Sequence, residues 1–392
     1  MIFATPELDV HDRTVLAEVH DMRRTLADVL RTPRRWTGGL RRTMLARAIL
    51  GSNSIEGYVV AEDDAAAALD DEEPLSADDR TFAEIRGYRQ ALGYVLQTAG
   101  DPYFSFETST IRSMHYMMLS HDLAKSPGQY RRGPIYVHDE RTDRRVYEGA
   151  DADDVPHLME ELAEDLRSDT TASPLVKAAM AHLNLVMIHP FRDGNGRMAR
   201  ALQTLVLSRR AIVEPAFSSI EEWLGSNTED YYRVLAVTGR GHWNPEGSAH
   251  FWVSFNLRAH HMQAQTVARR FREASAIWSE LDSIVAESRL PERVTGLLYE
   301  AVLGYRVRRS GYVRLAEVEE RTATRDLTNL AEQGLLEARG ERRGRHYIAG
   351  PVLADVRERV RAGRAPIRDP YPEMPVALTA EAAKVAGPSD QP

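Results

Sequence analysis

Twelve consecutive residues constrain this chain more than any other stretch: His189-Pro190-Phe191-Arg192-Asp193-Gly194-Asn195-Gly196-Arg197-Met198-Ala199-Arg200. They follow a run from Ser173 to Ile188 in which Leu175, Ala178, Ala179, His182, Leu183, Leu185 and Val186 recur at helical spacing. The spacing predicts a core helix that delivers His189 to the mouth of a site. Asp193-Gly194-Asn195-Gly196 is turn chemistry. The next apolar run, Met198 to Val206, reads as a helix starting near Asn195 or Gly196.

Such a turn suits a phosphate. Glycines let the backbone approach a ligand closely, and free N–H groups at a helix start form an anion site. Arg197 and Arg200 are three apart, share a helix face and can fork onto phosphate oxygens. Asp193 is a hard oxygen ligand suited to a Mg²⁺ that keeps its waters and bridges phosphates. His189, with an ordinary pKa of about 6.5, suits a general base. Base, metal ligand, anion nest and two arginines describe a phosphate-transfer site, and there is no GxxxxGK(S/T) loop to make it a P-loop.

The twelve residues resemble the HxFx(D/E)GNGRxxR motif of Fic-domain proteins, with every fixed position matched. The resemblance implies transfer of AMP from ATP to a Ser, Thr or Tyr hydroxyl of a protein, with ATP as substrate and Mg²⁺ as cofactor. His189 would take the hydroxyl proton, and Asp193 would hold Mg²⁺. Gly194, Asn195 and Gly196 would cradle phosphate oxygens, and Arg197 and Arg200 would hold the β- and γ-phosphates.

Composition limits the alternatives. The chain has 392 residues, 43% hydrophobic and 28% charged, which fits a soluble protein of two or three domains. No apolar run reaches 18 residues, so no membrane span is expected. The N-terminus lacks a signal pattern. Cysteine is absent, which excludes disulfides and thiolate zinc and favours the cytoplasm. The net charge of −8 excludes a wholly basic nucleic-acid coat. Of fifty Lys and Arg residues only Lys125, Lys177 and Lys384 are lysines.

Along the chain, residues 13–31 and 38–50 read as helices. The second runs into Ser52, whose spacing of four from Glu56 puts both on one helix face, with Gly57 as a stop. Ser52 to Gly57 resembles the (S/T)xxxE(G/N) inhibitory pattern found in many Fic proteins. By that resemblance Glu56 occupies Arg200 and blocks the ATP γ-phosphate. Residues 60–80 read as an acidic stretch, followed by a helix to Gln97. Within it, Glu84 to Leu92 resembles a helix that commonly follows the inhibitory segment, except that Gly87 stands where Asn is usual. Thr108 to His121 is a helix, and its His115 reads as a buried, hydrogen-bonded residue.

Pro127 to His138, with a return strand at Arg144 to Tyr147, reads as a hairpin. It resembles the Fic flap, which implies target docking by strand addition at Tyr130, Ile135, Tyr136 and Val137. Helices follow at Asp154 to Leu166, Ser219 to Leu224 and Thr228 to Leu235. Tyr231 and Tyr232 match a pair that family members use near the nucleotide. Adjacent helical residues face about 100° apart, so one is expected at the adenine and the other in the packing.

Met262 to Glu287 reads as a helical spacer. Residues 291–350 resemble a winged helix-turn-helix, with helices at Pro291 to Tyr305, Leu315 to Glu320 and Thr322 to Leu336 and a wing at Glu337 to Ile348. Between Pro291 and Arg364 there are fifteen Arg against eleven Asp and Glu. That balance would suit DNA phosphates, with Arg342, Arg343 and Arg345 as contacts.

The expected fold is all-α: a Fic helical core with a small β-hairpin flap and a C-terminal winged helix domain. Its divisions are residues 1–95 with the inhibitory helix (about 40–57), core 96–260, spacer 261–290, winged helix 291–350 and a disordered tail 351–392. Expected partners are a hydroxyl-bearing protein substrate, including the chain itself, DNA through 291–350 and a second copy of the chain. Alternative activities are removal of AMP or another nucleotidyl or phosphoryl transfer at the same site, or a DNA-binding regulator that uses the Fic unit as a ligand sensor.

Overall fold

A computed structural model describes residues 1–138, 144–168, 172–210, 213–341 and 344–386. The helices are α1 (Val10–Leu30), α2 (Thr37–Ile55), α3 (Glu62–Leu69), α4 (Asp79–Thr98), α5 (Thr108–Leu119), α6 (Val155–Arg167), α7 (Pro174–Ile188), α8 (Asn195–Arg210), α9 (Pro215–Ser218), α10 (Glu221–Ser226), α11 (Thr228–Gly239), α12 (His250–Glu287), α13 (Thr295–Leu303), α14 (Arg309–Ala316), α15 (Glu320–Glu332), α16 (Pro351–Ala362) and α17 (Met374–Ala386). Two antiparallel hairpins complete the described elements: β1 (Tyr136–His138) with β2 (Arg145–Glu148), and β3 (Leu336–Arg339) with β4 (His346–Ala349).

Helix α7 is the centre. Ser173 caps its start and Pro174 opens it with a pre-set φ. Every residue from Leu175 to Ile188 is buried, as expected of a helix apolar on all sides. The polar residues it buries are paired: Asn184 holds both backbone groups of Phe3, and His182 sits between Gln203 and Tyr231. Helix α8 folds back against it through Met198, Ala199, Ala201, Leu202 and Leu205.

A second core forms around the far half of α12. Val267, Phe271, Ile277, Trp278 and Leu281 meet Leu26 of α1, Leu40 and Met44 of α2, and residues of α13 to α16. The near half of the same helix, with Trp252, Phe255 and Leu257, belongs to the first core. The boundary expected at 260/261 therefore falls inside one helix of 38 residues. No Gly or Pro interrupts His250–Glu287, so nothing stops the helix between the cores.

Three further expectations are corrected. Residues 60–80 contain α3, whose acidic first turn favours the helix dipole and whose four alanines are buried. The short helix expected at Leu315 to Glu320 lies at Arg309–Ala316 and ends where Glu317 turns left-handed, φ 51°. The tail expected to be disordered forms α16 and α17. Helix α17 packs on α11, with Met374 and Leu378 in the first core. Asp369 pairs with Arg258, and the Tyr371 hydroxyl donates to Asp12. A proline-rich linker ending in apolar residues docks once a groove accepts those residues. Residues 387–392 lie outside the described residues, as do Arg342 and Arg343; Arg345 is exposed.

The acidic segment after Gly57 is where several C-terminal arginines go. Arg306 pairs with Asp63 and Asp64, and Arg314 with Glu72, while the Tyr305 hydroxyl donates to Glu62. The module of α13 to β4 is thereby tied to the segment that follows α2. Val307 also bridges Tyr347 at the edge of the second hairpin.

Helices α4 and α5 cross at Gly87. A Cβ there would lie 1.9 Å from the Met118 carbonyl oxygen, whereas one at Gly93 on the same helix meets nothing within 4 Å. Gly87→Ala should lower unfolding free energy by ~1–3 kcal/mol through overpacking, while Gly93→Ala is neutral or mildly stabilising. Urea unfolding of both variants checks this. Equal midpoints would remove the close crossing as the reason for glycine at 87.

Candidate active site

His189 ends α7 in the left-handed region, φ 54°, and Gly194 turns the chain at φ 75° into α8. A side chain with φ > 0 is sustained only by its surroundings, and here Arg131 supplies them. Its Nε donates to the His189 carbonyl at 2.8 Å, and its guanidinium also reaches the carbonyls of Gly133, Ala150 and Ile188. Arg131 thus joins the His189 turn to the root of the β1–β2 hairpin. Gly149 lies where the two meet: a Cβ there would be 3.1 Å from the His189 Cβ and 2.7 Å from Ile135.

The imidazole has a defined tautomer. His189 Nδ1 lies 3.0 Å from the Val186 carbonyl oxygen. A carbonyl only accepts, so Nδ1 carries the proton and Nε2 is left as the ring's acceptor. Burial pushes the His189 pKa down to about 4, helped by nearby Arg131 and opposed by the Val186 hydrogen bond. The ring is therefore neutral at pH 7. The ¹H–¹⁵N shifts of His189 should not titrate between pH 8 and 5 in the nucleotide-free protein; a midpoint near 6.5 would contradict this environment.

The turn is held from within. Asn195 Oδ1 accepts from the Phe191 N–H at 2.9 Å, and its Nδ2 donates to the Phe191 carbonyl at 2.9 Å. Its carboxamide is buried and closes the loop, with one Nδ2 hydrogen left over from these two bonds. Phe191 stacks on His115, with centroids 3.8 Å apart. His115 accepts from the Gly128 N–H and donates to the Asp193 carbonyl. The first α8 amide to reach a helical carbonyl is that of Met198, on Gly194. The amides before it open the helix, as an anion nest requires.

Arg200, 1% exposed, engages all three of its guanidinium nitrogens. Nε donates to Ser52 Oγ at 2.8 Å, Nη2 to the Ser52 carbonyl at 2.9 Å and to Glu56 Oε1 at 2.7 Å, and Nη1 to Tyr231 Oη at 3.4 Å. Glu56 caps α2 and Gly57 follows at φ 81°. Glu56 Oε1 lies 2.5 Å from where a Cβ on Gly196 would stand. The carboxylate therefore rests over the start of α8.

Arg197, also 1% exposed, is held by a residue to which no role was assigned from the sequence. Its Nη1 donates to Glu84 Oε2 at 2.6 Å, its Nε is buried with no partner, and the Tyr58 ring lies 5.2 Å from the guanidinium. Glu84 Oε1 accepts from Lys125 at 2.6 Å and from Tyr58 Oη at 3.2 Å. Lys125 also stands 2.9 Å from Asp193 Oδ2, and Asp193 Oδ1 accepts from the Gly194 N–H at 2.6 Å. Burial would raise the Glu84 pKa, but Arg197 and Lys125 hold it down to about 2. Against the same burial effect, Lys125 keeps Asp193 below the ordinary carboxylate range. Rarity was the available signal for Lys125, as one of three lysines in the chain.

The aromatic pair divides its labour. Tyr231 is buried behind Arg200 and bonded to His182, so it braces the arginine and lines no open wall. Tyr232 is 47% exposed, and its hydroxyl donates to the Ile55 carbonyl, next to Glu56. Among the hairpin residues, Tyr136 and Val137 lie in β1 opposite Glu148 and Tyr147, and Ile135 precedes the strand. Tyr130 is corrected: it lies outside the hairpin, 5.6 Å from the Phe191 ring, with its hydroxyl buried.

Asp193 offers one carboxylate and belongs to no preassembled ligand cluster. Among the described residues the one group of three metal-capable side chains is Asp9, Asp12 and His250, where Asp9 caps α1, and Asp12 accepts from the Asp9 N–H, Ser254 and Tyr371. A lone, partly exposed carboxylate fits a divalent ion that brings its other ligands as water and phosphate. Among the described residues no helix is long and apolar enough to cross a membrane.

The Fic/DOC family model matches residues 105–207. A protein adenylyltransferase Fic of Nematostella vectensis is 28% identical over 171 residues, 41% of this chain and 35% of that protein. Protein adenylyltransferase fic-1 of Caenorhabditis briggsae is 26% identical over 247 residues, 61% of this chain and 45% of that protein. The chain spans less than half the length of these curated relatives. The crystal structure of a Fic family protein from Desulfovibrio desulfuricans G20 aligns with a TM-score of 0.55 at 24% identity, over 88% of this chain and 98% of that one, a likeness of fold. The matched segment contains α7, the His189 turn and the start of α8, and so this chain carries a Fic domain whose curated relatives are named protein adenylyltransferases.

Proposed function

We propose that the chain transfers AMP from ATP to a hydroxyl group of a protein, and that Glu56 holds this activity back. One observation carries the reading. A neutral His189 with a free Nε2 stands on the turn that also presents Asp193, the opening amides of α8 and two buried arginines.

In the reaction the Ser, Thr or Tyr oxygen attacks the α-phosphorus. The bond to the pyrophosphate oxygen breaks, and the hydroxyl proton passes to His189 Nε2. The products are a phosphodiester-linked AMP on the protein and pyrophosphate. A divalent ion, when bound, would be held by Asp193 and would neutralise phosphate charge. The α8 amides take phosphate oxygens, and Arg197 and Arg200 stabilise the charge that develops on the leaving group. Positioning supplies most of the acceleration, since the protein forms no bond to the substrate. Tyr136 and Val137 form an edge to which an extended target segment would add.

The inhibitory role follows from charge. Glu56 places a carboxylate over the helix start that a phosphate needs and takes one Nη2 donor of Arg200. The α13 to β4 module, with the helix and hairpin order of a winged helix, acts here as a support for the segment after α2. The test is label transfer to protein from ATP labelled at the α- or the γ-phosphate. Label from the α-position alone is expected. Label from the γ-position would make the site kinase-like. Loss of AMP from a pre-labelled protein, without net transfer, would favour removal, with Glu56 orienting a water.

A further inference from the structure

We propose that Lys125 is a built-in cation of the phosphate site. Seated on Glu84, it neutralises Asp193 when no divalent ion is present and must yield that carboxylate when one binds. This rests on the reading of Asp193 and its turn as the site of the nucleotide's phosphates.

The contacts form a chain of alternating charge. Arg197 is on Glu84 at 2.6 Å, Glu84 on Lys125 at 2.6 Å, and Lys125 on Asp193 at 2.9 Å. Two cations balance two carboxylates, so the site is closed electrostatically without a metal. Both Asp193 oxygens are engaged, one by Lys125 and one by the Gly194 N–H. A dication on Asp193 would share a carboxylate with an ammonium at contact distance, and like charges that close repel. The ammonium has to move, and the nearest new anions are the phosphates that arrive with the dication.

Residue type fits the task. The chain uses arginine almost everywhere, yet here it places a lysine. An ammonium is a compact point charge with three donors on a flexible stem, able to change partners, whereas a guanidinium fork favours one fixed bidentate geometry. Lys125 closes a short 3₁₀ turn, Leu123–Lys125, and Ser126 after it is left-handed at φ 54°. A change of partner would be carried by the lysine stem. Glu84, 1% exposed, is the fixed seat, and His121 at 3.3 Å and Tyr58 at 3.2 Å also point to it. When Lys125 is removed, Glu84 keeps Arg197, so no carboxylate is orphaned in the core. Without metal, Lys125 would serve the phosphates in the dication's place.

The experiment measures binding, with the full chain carrying Glu56→Gly so that the γ-phosphate is admitted. The ligand is an ATP analogue with a methylene group between the α- and β-phosphorus. Its Kd is determined by calorimetry in Mg²⁺ and in EDTA. Lys125→Met should raise the ratio of the EDTA to the Mg²⁺ value at least ~5-fold, because without metal nothing then neutralises Asp193 beside the phosphates, whereas Mg²⁺ still does. Lys125→Gln, of similar size and polar, should shift it likewise and serves if the methionine variant fails to fold. An unchanged ratio in the folded variants overturns the proposal. Asp193→Asn separates the two levels. It should bring the ratio towards one, and if Mg²⁺ dependence survives it, the assignment of Asp193 fails and the role of Lys125 with it.

Discussion

Glu56→Gly is expected to raise AMP transfer about 10- to 100-fold, the factor carried by one charge-assisted hydrogen bond of roughly 1.5–3 kcal/mol. The carboxylate competes with the γ-phosphate for one guanidinium and one helix start, and it competes intramolecularly. Removing it frees one Nη2 contact of Arg200 while Ser52 keeps two. The arginine is thus released without being orphaned, so the variant should remain folded. Glu56→Gln is the informative companion. It retains a hydrogen-bonding oxygen without the charge and should fall between wild type and Glu56→Gly. Initial rates of α-label incorporation, with far-UV circular dichroism for folding, decide the matter. A folded Glu56→Gly no faster than wild type sinks the inhibitory role.

His189→Ala in the Glu56→Gly background is expected to lower transfer by about 10²- to 10⁴-fold, the usual contribution of a general base. Nucleotide affinity should change little, because the ring's visible bond is to the Val186 carbonyl and the turn is held by Arg131, Asn195 and His115. The left-handed backbone at 189 favours a second variant. His189→Asn tolerates φ > 0 better than alanine and supplies no base, so it separates lost chemistry from a distorted turn. Rates and analogue binding are measured on both. If either variant loses binding as well as rate, His189 is a structural residue. If the asparagine variant retains full rate, the base lies elsewhere.

Residues 173–206 were legible in the sequence because what they do is local. An uninterrupted apolar helical run must be buried, Gly194 and Gly196 must turn, and a helix start must offer amides. His115 was legible as a hydrogen-bonded core residue for the same reason. The pairing of Glu56 with Arg200, 144 residues apart, entered only through a family resemblance. Local chemistry at Ser52 to Gly57 predicts a helix end and nothing of its partner.

The remainder belongs to the tertiary structure. Glu84 reaches Arg197 across 113 residues and Arg131 reaches the His189 carbonyl across 58. Neither carries a local signature, since an ionised residue on a helix reads as solvent-facing until another helix covers it. The bonds of the Asn195 carboxamide to the Phe191 backbone are likewise invisible in residue type. Tyr130 read as part of a hairpin, yet its ring goes to Phe191. The tail and α3 were misjudged for a common reason: a weakly apolar segment folds only when a groove accepts it, and the grooves are made by α11, α2 and the C-terminal module. The sequence by itself determined the chemistry of the turn, through φ preferences and helix-end polarity. Only tertiary packing decided which charges that turn faces, because ion pairing depends on distance in space, which sequence separation does not report.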